Sequence, residues 1–426
     1  MDAVRRLIRD HDPAFAKPLE SINTSRALLL RWAESPPRLV IVIAVILSMV
    51  ALGDAIDTDF FHNPIDFRVY FMGAQHFLDP HLYTLRINRA PHLPFTYPPI
   101  AALLIWPLTC INYLTGLSLW SVLSFGALGL IIHTVIGLAA RDLSTRAKLT
   151  LTLLMFGPCY FLEPIRQNFN FGQINLLLGA MILYDFANRD ERRIPRGLLI
   201  GLATAIKLIP GIFILFLLVR RQFRSALVAT GTFLGSNLLM LAINPVATRS
   251  YWSDYVSNPG HMGGVLYNSN QSLFGVIQRL AHHAVSNLTL TAVVAVTLLV
   301  GVTLAAFVGS RKSELAALIT VGFTGDLVSP ISWSHHLYWF VPLLIWLALG
   351  KDSPRLRVLS MVVVATACWA SVIWLPPKDG NQTFHWTGLE QIAGNAYALF
   401  MVAFLMTIAI QTFRRNGDSS EVSLSA

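Results

Sequence analysis

Residues 57–99 read DTDFFHNPIDFRVYFMGAQHFLDPHLYTLRINRAPHLPFTYPP. This polar stretch follows directly on residues 39–56, an apolar run long enough to cross a bilayer. It carries three carboxylates near its start, at Asp57, Asp59 and Asp66. Carboxylates at a membrane boundary are costly unless they act on something, so the stretch is predicted to form a functional loop outside the membrane.

The composition of the whole chain predicts that most of it lies in a membrane. Of its 426 residues 54% are apolar and only 13% are charged, and the mean hydropathy is +0.57. A soluble domain carries about 25% charged residues, so repeated apolar runs identify a polytopic membrane protein with the lipid bilayer as partner. The net charge of +9 is spread over short basic clusters between apolar runs. Such clusters are typical of cytoplasmic loops and not of a nucleic-acid surface.

The cysteine pattern disfavours disulfides and a metal site, and the N-terminal sequence disfavours a cleaved signal peptide. Cys110, Cys159 and Cys368 lie in apolar segments without CxxC spacing, which predicts small core residues and neither disulfides nor a metal site. The first apolar run is too long for a signal peptide and lacks a small-residue cleavage site, so it is expected to stay as an anchor.

The predicted fold is an all-α membrane domain of about ten to twelve transmembrane helices. Residues 1–36 and 414–426 are predicted to be cytoplasmic tails, residues 37–413 the membrane domain, and residues 57–97 its first outer loop. Residues 98–114 are expected to lie in the outer leaflet. The predicted crossings are 39–56, 117–140, 149–163, 174–187, 225–243, 288–308, 314–328, 337–349, 358–375 and 391–412.

Residues 197–219 break the alternation of sides, because both ends are basic, at Arg196 and Arg220. The Lys207–Pro210 step in the middle favours two half-helices that enter and leave on the cytoplasmic side. Such irregular backbone is tolerated at membrane depth only beside protein or a water-filled cavity. The alternative is a single crossing that violates the positive-inside rule at one end.

Asp66 is the candidate general base. It precedes Tyr70 by four residues, so the two share a face of a helix. A partly desolvated carboxylate can take a proton from a sugar hydroxyl, because burial raises its pKa towards neutrality. The structural alternative is an aspartate that caps a helix after Pro64.

Three further positions have a functional and a structural interpretation. His335 and His336, at the predicted outer boundary, suit hydrogen bonds to a phosphate or sugar, or are ordinary interfacial histidines. Their adjacency disfavours a shared metal. Lys207, deep in an apolar run, suits a lipid phosphate, or is a lysine that snorkels from a helix end.

Amide-rich loops are suited to sugar hydroxyls but also cap helices routinely. One lies around Arg166, Gln173 and Asn175, and another at Asn270-Gln271. No dinucleotide or P-loop fingerprint is found, so a nucleotide-sugar donor has no visible site.

Six segments together resemble a known family. They are DFRVYFMGA, LPFTYPPIAALLIWPL, FGQINLLLGA, GLATAIKLIP, NQSLFG and SPISWSHHLYW, and they span most of residues 64–345. The sequence resembles the actinobacterial polyprenol-phosphate-mannose-dependent α-1,2-mannosyltransferases, which form glycosyltransferase family 87 and have the GT-C fold.

The resemblance implies an inverting transfer of mannose on the periplasmic face of the plasma membrane. The donor is polyprenyl-phosphate mannose, the acceptor a phosphatidylinositol mannoside or lipomannan, and no cofactor is implied. It assigns the catalytic aspartate to Asp66, with Asp57 and Asp59 as second choices, and a donor-phosphate histidine to His335 or His336. An isolated carboxylate argues against a divalent metal. The candidate substrate-binding residues are Arg68, Tyr70, Tyr97, Arg166, Gln173, Asn175, Lys207, Asn270, Gln271, His335 and His336.

Two other functions fit parts of the pattern. A transporter or flippase for a polyprenyl-linked sugar would use Lys207, but such proteins usually contain an internal repeat, and the broken helix is found only in the first half. A GT-C enzyme that uses polyprenyl-phosphate arabinose is hardly distinguished by sequence.

Overall fold

A computed structural model describes residues 30–58, 62, 64–187, 194–256, 264–311, 313–350, 354–378 and 382–422, with side chains described up to residue 413 except at 354–356. Asp59, most of the predicted N-terminal tail and the last four residues of the predicted C-terminal tail lie outside the described residues. Within the described part the all-α prediction is confirmed, since its single β pairing is an isolated bridge between Arg86 and Pro94.

The α-helices are numbered here in chain order. They are α1 Arg38–Asp57, α2 Ile65–Gln75, α3 Pro99–Ile105, α4 Tyr113–Ala139, α5 Thr145–Tyr160, α6 Glu163–Phe171, α7 Asn175–Ala187, α8 Leu198–Ile206, α9 Ile212–Val219, α10 Phe223–Ile243, α11 Pro245–Ser250, α12 Leu273–Ala281, α13 Asn287–Arg311, α14 Glu314–Val328, α15 Phe340–Leu349, α16 Pro354–Trp369, α17 Gly388–Gly394 and α18 Ala396–Val422.

Five helices are long and apolar enough to cross a membrane, namely α1, α4, α10, α13 and the first part of α18 up to Phe413. Much of their apolar surface is exposed, as at Leu39 and Met49 of α1, because lipid rather than protein would cover it. Five shorter apolar segments accompany them, at Pro99–Cys110, Asn175–Ala187, Ile209–Val219, Phe340–Leu349 and Arg357–Trp369. The predicted number of ten to twelve crossings stays a prediction.

Local sequence fixes several helix starts. Asn112 accepts a hydrogen bond from the Thr115 amide at the start of α4, and Ser144 accepts one from Ala147 at the start of α5. These side chains satisfy amide donors that the first turn of a helix leaves unpaired.

The helix α14 is buried on all sides from Leu315 to Leu327, so it forms the centre of the fold.

Residues 197–219 form the predicted hairpin. The helix α8 ends at Lys207, whose backbone is extended, and a 3-10 turn at Ile209–Gly211 leads into α9. Gly197, at the start of α8, lies against Ser225 at the start of α10, and Gly201 lies against Ala229. Since α9 leads directly into α10, the chain returns to the side from which α8 began. The break and the return are thus confirmed, while the identity of that side stays a prediction.

Candidate active site

Asp66 lies in the first turn of α2, directly after Pro64. The N-cap position is Pro64 itself, and no side chain caps this helix. The carboxylate of Asp66 instead accepts a hydrogen bond of 2.6 Å at Oδ2 from Nε2 of Gln173. The helix-capping alternative therefore does not describe this side chain, whose partner lies more than a hundred residues away in sequence.

The turn before Gln173 explains how that amide reaches Asp66. The helix α6 ends at Phe171, and Gly172 has a φ of +67°, in the left-handed region that glycine tolerates. Its backbone lies so close to Phe67 that a Cβ on Gly172 would be only 2.6 Å from the Phe67 Cβ. Trp120 Nε1 donates to the Gly172 carbonyl at 2.9 Å. These contacts hold α6 against α2 and aim Gln173 at the carboxylate.

Two tyrosines complete this side of the site. The Tyr70 hydroxyl donates to Oε1 of Gln173 at 2.9 Å and lies 2.8 Å from the Tyr97 hydroxyl. The two rings meet edge to face, with centroids 5.0 Å apart. Asp66 and Tyr70 thus converge on the two ends of one amide, as expected for residues four apart on one helix face.

Lys207 reaches the same place from the hairpin break. Its Nζ donates to Oδ1 of Asn175 at 2.8 Å, lies 3.2 Å from Nε2 of His336, and is 5.5 Å from the centre of the Tyr97 ring. A snorkelling lysine would extend into solvent, and Lys207 instead turns into the protein. The site so assembled is called the Asp66 cluster, and its members are Asp66, Tyr70, Tyr97, Gln173, Asn175, Lys207 and His336.

Accessibility divides the Asp66 cluster into two layers. Asp66, Tyr97 and Lys207 are partly exposed, whereas Tyr70, Gln173, Asn175 and His336 are buried. The exposed layer combines a carboxylate, a hydroxyl and an ammonium group, so it can meet a substrate. The buried layer holds these groups in place, which is the arrangement that a preorganised site requires.

The two histidines have different surroundings. The His335 carbonyl accepts hydrogen bonds from the side-chain amides of Asn168 at 2.8 Å and Asn175 at 3.0 Å. Neither ring nitrogen of His335 has a partner among the described residues, while His336 contacts Lys207. Burial, together with the nearby Lys207 ammonium, holds the pKa of both imidazoles well below its usual value. Both rings are therefore neutral at pH 7 and can each donate one N–H.

Burial also sets the state of Asp66. It raises the pKa of this carboxyl to about 6, although the Gln173 hydrogen bond and the Lys207 charge both favour the ionised form. A carboxylate with a pKa near the working pH is ionised at pH 7 and is basic enough to accept a proton during a reaction.

Two predicted site residues have other contacts. Arg68 lies over the Tyr113 ring, 5.3 Å from its centre. Arg166 forms an ion pair with Asp54, with Nη2 2.6 Å from Oδ1, and Tyr160 donates to the same carboxylate at 2.9 Å.

The side chains of the amide-rich segment at Asn270-Gln271 bind backbone carbonyls outside the Asp66 cluster. Nδ2 of Asn270 donates to the Val265 carbonyl, and Nε2 of Gln271 donates to the carbonyls of Asn268 and Gly394. Both side chains are fully buried, so they hold loops together, and they do not join the Asp66 cluster.

Asp326 was missed by the sequence reasoning. It is a buried carboxylate in α14, and it lines a cavity of about 30 Å³ together with Asn175, Lys207 and His336. That volume holds a water molecule but no sugar. The available signal was the carboxylate inside the apolar run 314–328, because an ionisable residue at membrane depth indicates function by itself. Among the described residues, no three His, Cys, Asp or Glu side chains come together as a metal site.

Comparison with known proteins adds independent evidence. Residues 95–330 match the model of the family described as glycosyltransferase family 87. This range contains four of the seven members of the Asp66 cluster and leaves out Asp66, Tyr70 and His336. No solved structure matches the chain.

Named relatives cover most of the chain. A Mycolicibacterium smegmatis protein named polyprenol-phosphate-mannose-dependent alpha-(1-2)-phosphatidylinositol mannoside mannosyltransferase is 30% identical over 84% of this chain and 86% of its own length. A Mycobacterium tuberculosis protein of the same name is 31% identical over 87% and 90%. Another M. tuberculosis relative, named as the corresponding phosphatidylinositol pentamannoside mannosyltransferase, is 31% identical over 79% and 80%.

Proposed function

This chain belongs to glycosyltransferase family 87, a group of GT-C membrane enzymes, and we propose that it transfers mannose from polyprenyl-phosphate mannose to the 2-hydroxyl of a phosphatidylinositol mannoside. The product carries an α-1,2 link, and the reaction takes place on the periplasmic face of the plasma membrane. The names of the relatives support the donor and the acceptor.

The observation that carries the proposal is the partly exposed Asp66 carboxylate, held by Gln173 and with a pKa of about 6. In an inverting transfer, the acceptor hydroxyl oxygen attacks the anomeric carbon while the bond from that carbon to the phosphate oxygen breaks. The hydroxyl proton passes to Asp66, and the electron pair leaves with the polyprenyl phosphate. One base on the acceptor side is sufficient, since phosphate is already a good leaving group.

The donor phosphate is assigned to Lys207 and His336, which lie 3.2 Å apart. An ammonium group and an imidazole N–H stabilise the charge that develops on the leaving phosphate. His335 is the second candidate for this contact, because its ring nitrogens have no partner among the described residues. Tyr97, whose hydroxyl lies 3.4 Å from Oε1 of Gln173 and whose ring centre lies 5.5 Å from Nζ of Lys207, is assigned to the sugar. Tyr70, Gln173 and Asn175 are assigned as positioning residues, because they hydrogen-bond to Tyr97, Asp66 and Lys207.

The membrane holds the donor near the enzyme, a task that a nucleotide-binding pocket performs in glycosyltransferases that use nucleotide sugars. The prenyl chain keeps the donor in the bilayer, so the enzyme has to recognise only phosphate and sugar. Donor and acceptor displace water from the Asp66 cluster when they bind, and this protects the donor from hydrolysis.

The proposal is tested with the full chain reconstituted in liposomes and given labelled polyprenyl-phosphate mannose and a phosphatidylinositol mannoside. We expect a labelled glycolipid whose new sugar is released by an α-1,2-mannosidase. Labelled donor that crosses the bilayer without forming a product would identify a flippase instead. Transfer from polyprenyl-phosphate arabinose but not from the mannose donor would identify an arabinosyltransferase.

A further inference from the structure

A second and larger cavity lies on another side of α6. Its volume is about 410 Å³, within the range of small-molecule sites, and it is called the Glu163 cavity here. It shares no residue with the Asp66 cluster. Its lining includes Leu47, Glu163, Arg166, Gln167, Asn170 and Trp369.

The lining changes from apolar to polar along α1. Leu47 lies seven residues before Asp54, about 10 Å along the helix axis, and Asp54 holds Arg166 in the polar wall. The apolar part lies beside α1, whose outer surface is suited to lipid. A ligand with an acyl part and a polar head would match this gradient.

The polar wall favours a neutral head over an anionic one. Arg166 is already neutralised by Asp54. Glu163 is buried, and its Oε1 accepts hydrogen bonds of 2.8 Å from Ser334 Oγ and from Trp374 Nε1. A phosphate would meet the Glu163 carboxyl group and an arginine that is already paired with Asp54, and the lining residues of the cavity include no other cation, so this wall disfavours an anionic head.

Amides and an indole complete the wall. Nδ2 of Asn170 donates to Oε1 of Gln167 at 3.1 Å, which leaves further amide donor and acceptor capacity. Trp369 is 53% exposed and donates its indole N–H to the Pro158 carbonyl. Side-chain amides beside an indole suit a sugar ring, which offers both hydroxyls and apolar C–H faces.

We propose that the Glu163 cavity binds the sugar head of a mannoside glycolipid at a site separate from the Asp66 cluster. The choice of a mannoside rests on the proposed function, whereas the sugar-binding chemistry rests on the cavity itself. The two sites share α6, because Glu163 holds Ser334 while Asn168 of the same helix holds the adjacent His335 carbonyl.

The test is equilibrium binding of a phosphatidylinositol mannoside to the full chain in nanodiscs, with phosphatidylglycerol as the anionic lipid without a sugar. We expect two mannoside sites in the native protein and also in Asp66→Asn. Trp369→Ala and Asn170→Ala should each weaken one site about tenfold, while kcat at saturating substrate stays unchanged. Trp252→Ala is the matched control, because Trp252 is also partly exposed and donates its indole N–H, to Asn237, outside the cavity.

Three results would overturn the inference. They are a single mannoside site in the native protein, equal binding of phosphatidylglycerol at the second site, and variants that bind as the Trp252→Ala control does. None of these results affects the proposed function, which fails only if the native protein transfers no mannose. Conversely, an inactive protein that still has the second mannoside site would retain this inference.

Discussion

At the scale of single residues, the side-chain amide of Gln173 connects Asp66 with Tyr70. Gln173 donates through Nε2 to Asp66 and accepts through Oε1 from Tyr70. The carboxylate is thereby fixed in orientation, and its ionised form is favoured over the protonated form. Gln173 acts through Asp66 and is a positioning residue.

This arrangement gives a prediction for the pH dependence of transfer. The base must be ionised, so kcat/KM should rise with pH through about 6 and then level off. Gln173→Met removes a hydrogen bond that lowers the pKa of Asp66, so the rising limb should move to higher pH. Initial rates of the native protein and the variant across pH 5–9 measure the shift.

The control for this prediction is Gln278→Met. Gln278 donates to the Phe274 carbonyl of its own helix and does not join the Asp66 cluster. Its profile should coincide with that of the native protein. A Gln173→Met profile that moves to lower pH, or does not move, would contradict the role assigned to this amide.

Some site residues could be predicted from sequence and others could not. Asp66 and Tyr70 were predictable because their relation is local, four positions along one helix. The amides at Asn270-Gln271 and at Gln173 are alike as sequence, yet the first pair is engaged by backbone carbonyls and Gln173 by the carboxylate. Only long-range packing decides which of these amides meets the site.

At the scale of elements, the turn between α6 and α7 sets the geometry of the site. Gly172 adopts a left-handed conformation against Phe67, and the next residue is Gln173. A side chain at Gly172 would both strain the backbone and push α6 away from α2.

Gly172→Ala should therefore lower the free energy of unfolding by about 1–3 kcal/mol and reduce transfer. The control is Gly126→Ala in α4, where a Cβ meets nothing within 4 Å, so its stability should be unchanged or slightly higher. Thermal unfolding in detergent and initial rates measure both effects. Equal stability of the two variants would contradict the account of this turn.

The hairpin at residues 197–219 could be predicted from the positions of its charged residues. Basic residues at both ends of residues 197–219 disfavour a single crossing, and the Lys207–Pro210 step indicates the break. The apolar pattern of residues 314–328 predicts a membrane crossing, and this pattern by itself gives Asp326 no role. Its position beside Lys207 in the lining of the 30 Å³ cavity depends on the packing of α14 against the hairpin, which no local pattern encodes.

At the scale of the whole molecule, the proposal needs Asp66 on the outer face. The polar loops with aromatic residues and histidines were predicted on one side and the arginine clusters on the other, and this sidedness stays a prediction. The all-helical class follows from composition and the repeated apolar runs, and α3 lies within residues 98–114, which the sequence predicts to lie in the outer leaflet, whereas the short helix α6 required the tertiary structure.

Sidedness is measured with single cysteines in a variant that lacks Cys110, Cys159 and Cys368. His81→Cys, in the first outer loop, should react with a membrane-impermeant maleimide in intact spheroplasts. Arg146→Cys, beyond α4, should react only after the membrane is opened. Both positions are exposed, so accessibility within the protein does not limit either reaction. The reverse pattern would place Asp66 on the cytoplasmic side.

The most direct test of the central claim compares Asp66→Asn with Asp57→Asn in the reconstituted transfer assay. Asp57 ends α1 at the start of the same loop, but it is exposed, and its Oδ2 lies 3.6 Å from Nδ1 of His62. Asp66→Asn should fold, bind the donor and lose at least about 100-fold in kcat, because the base is gone, while Asp57→Asn should transfer at nearly the native rate. Native rates in Asp66→Asn, with loss in Asp57→Asn, would contradict the assignment of Asp66 as the base.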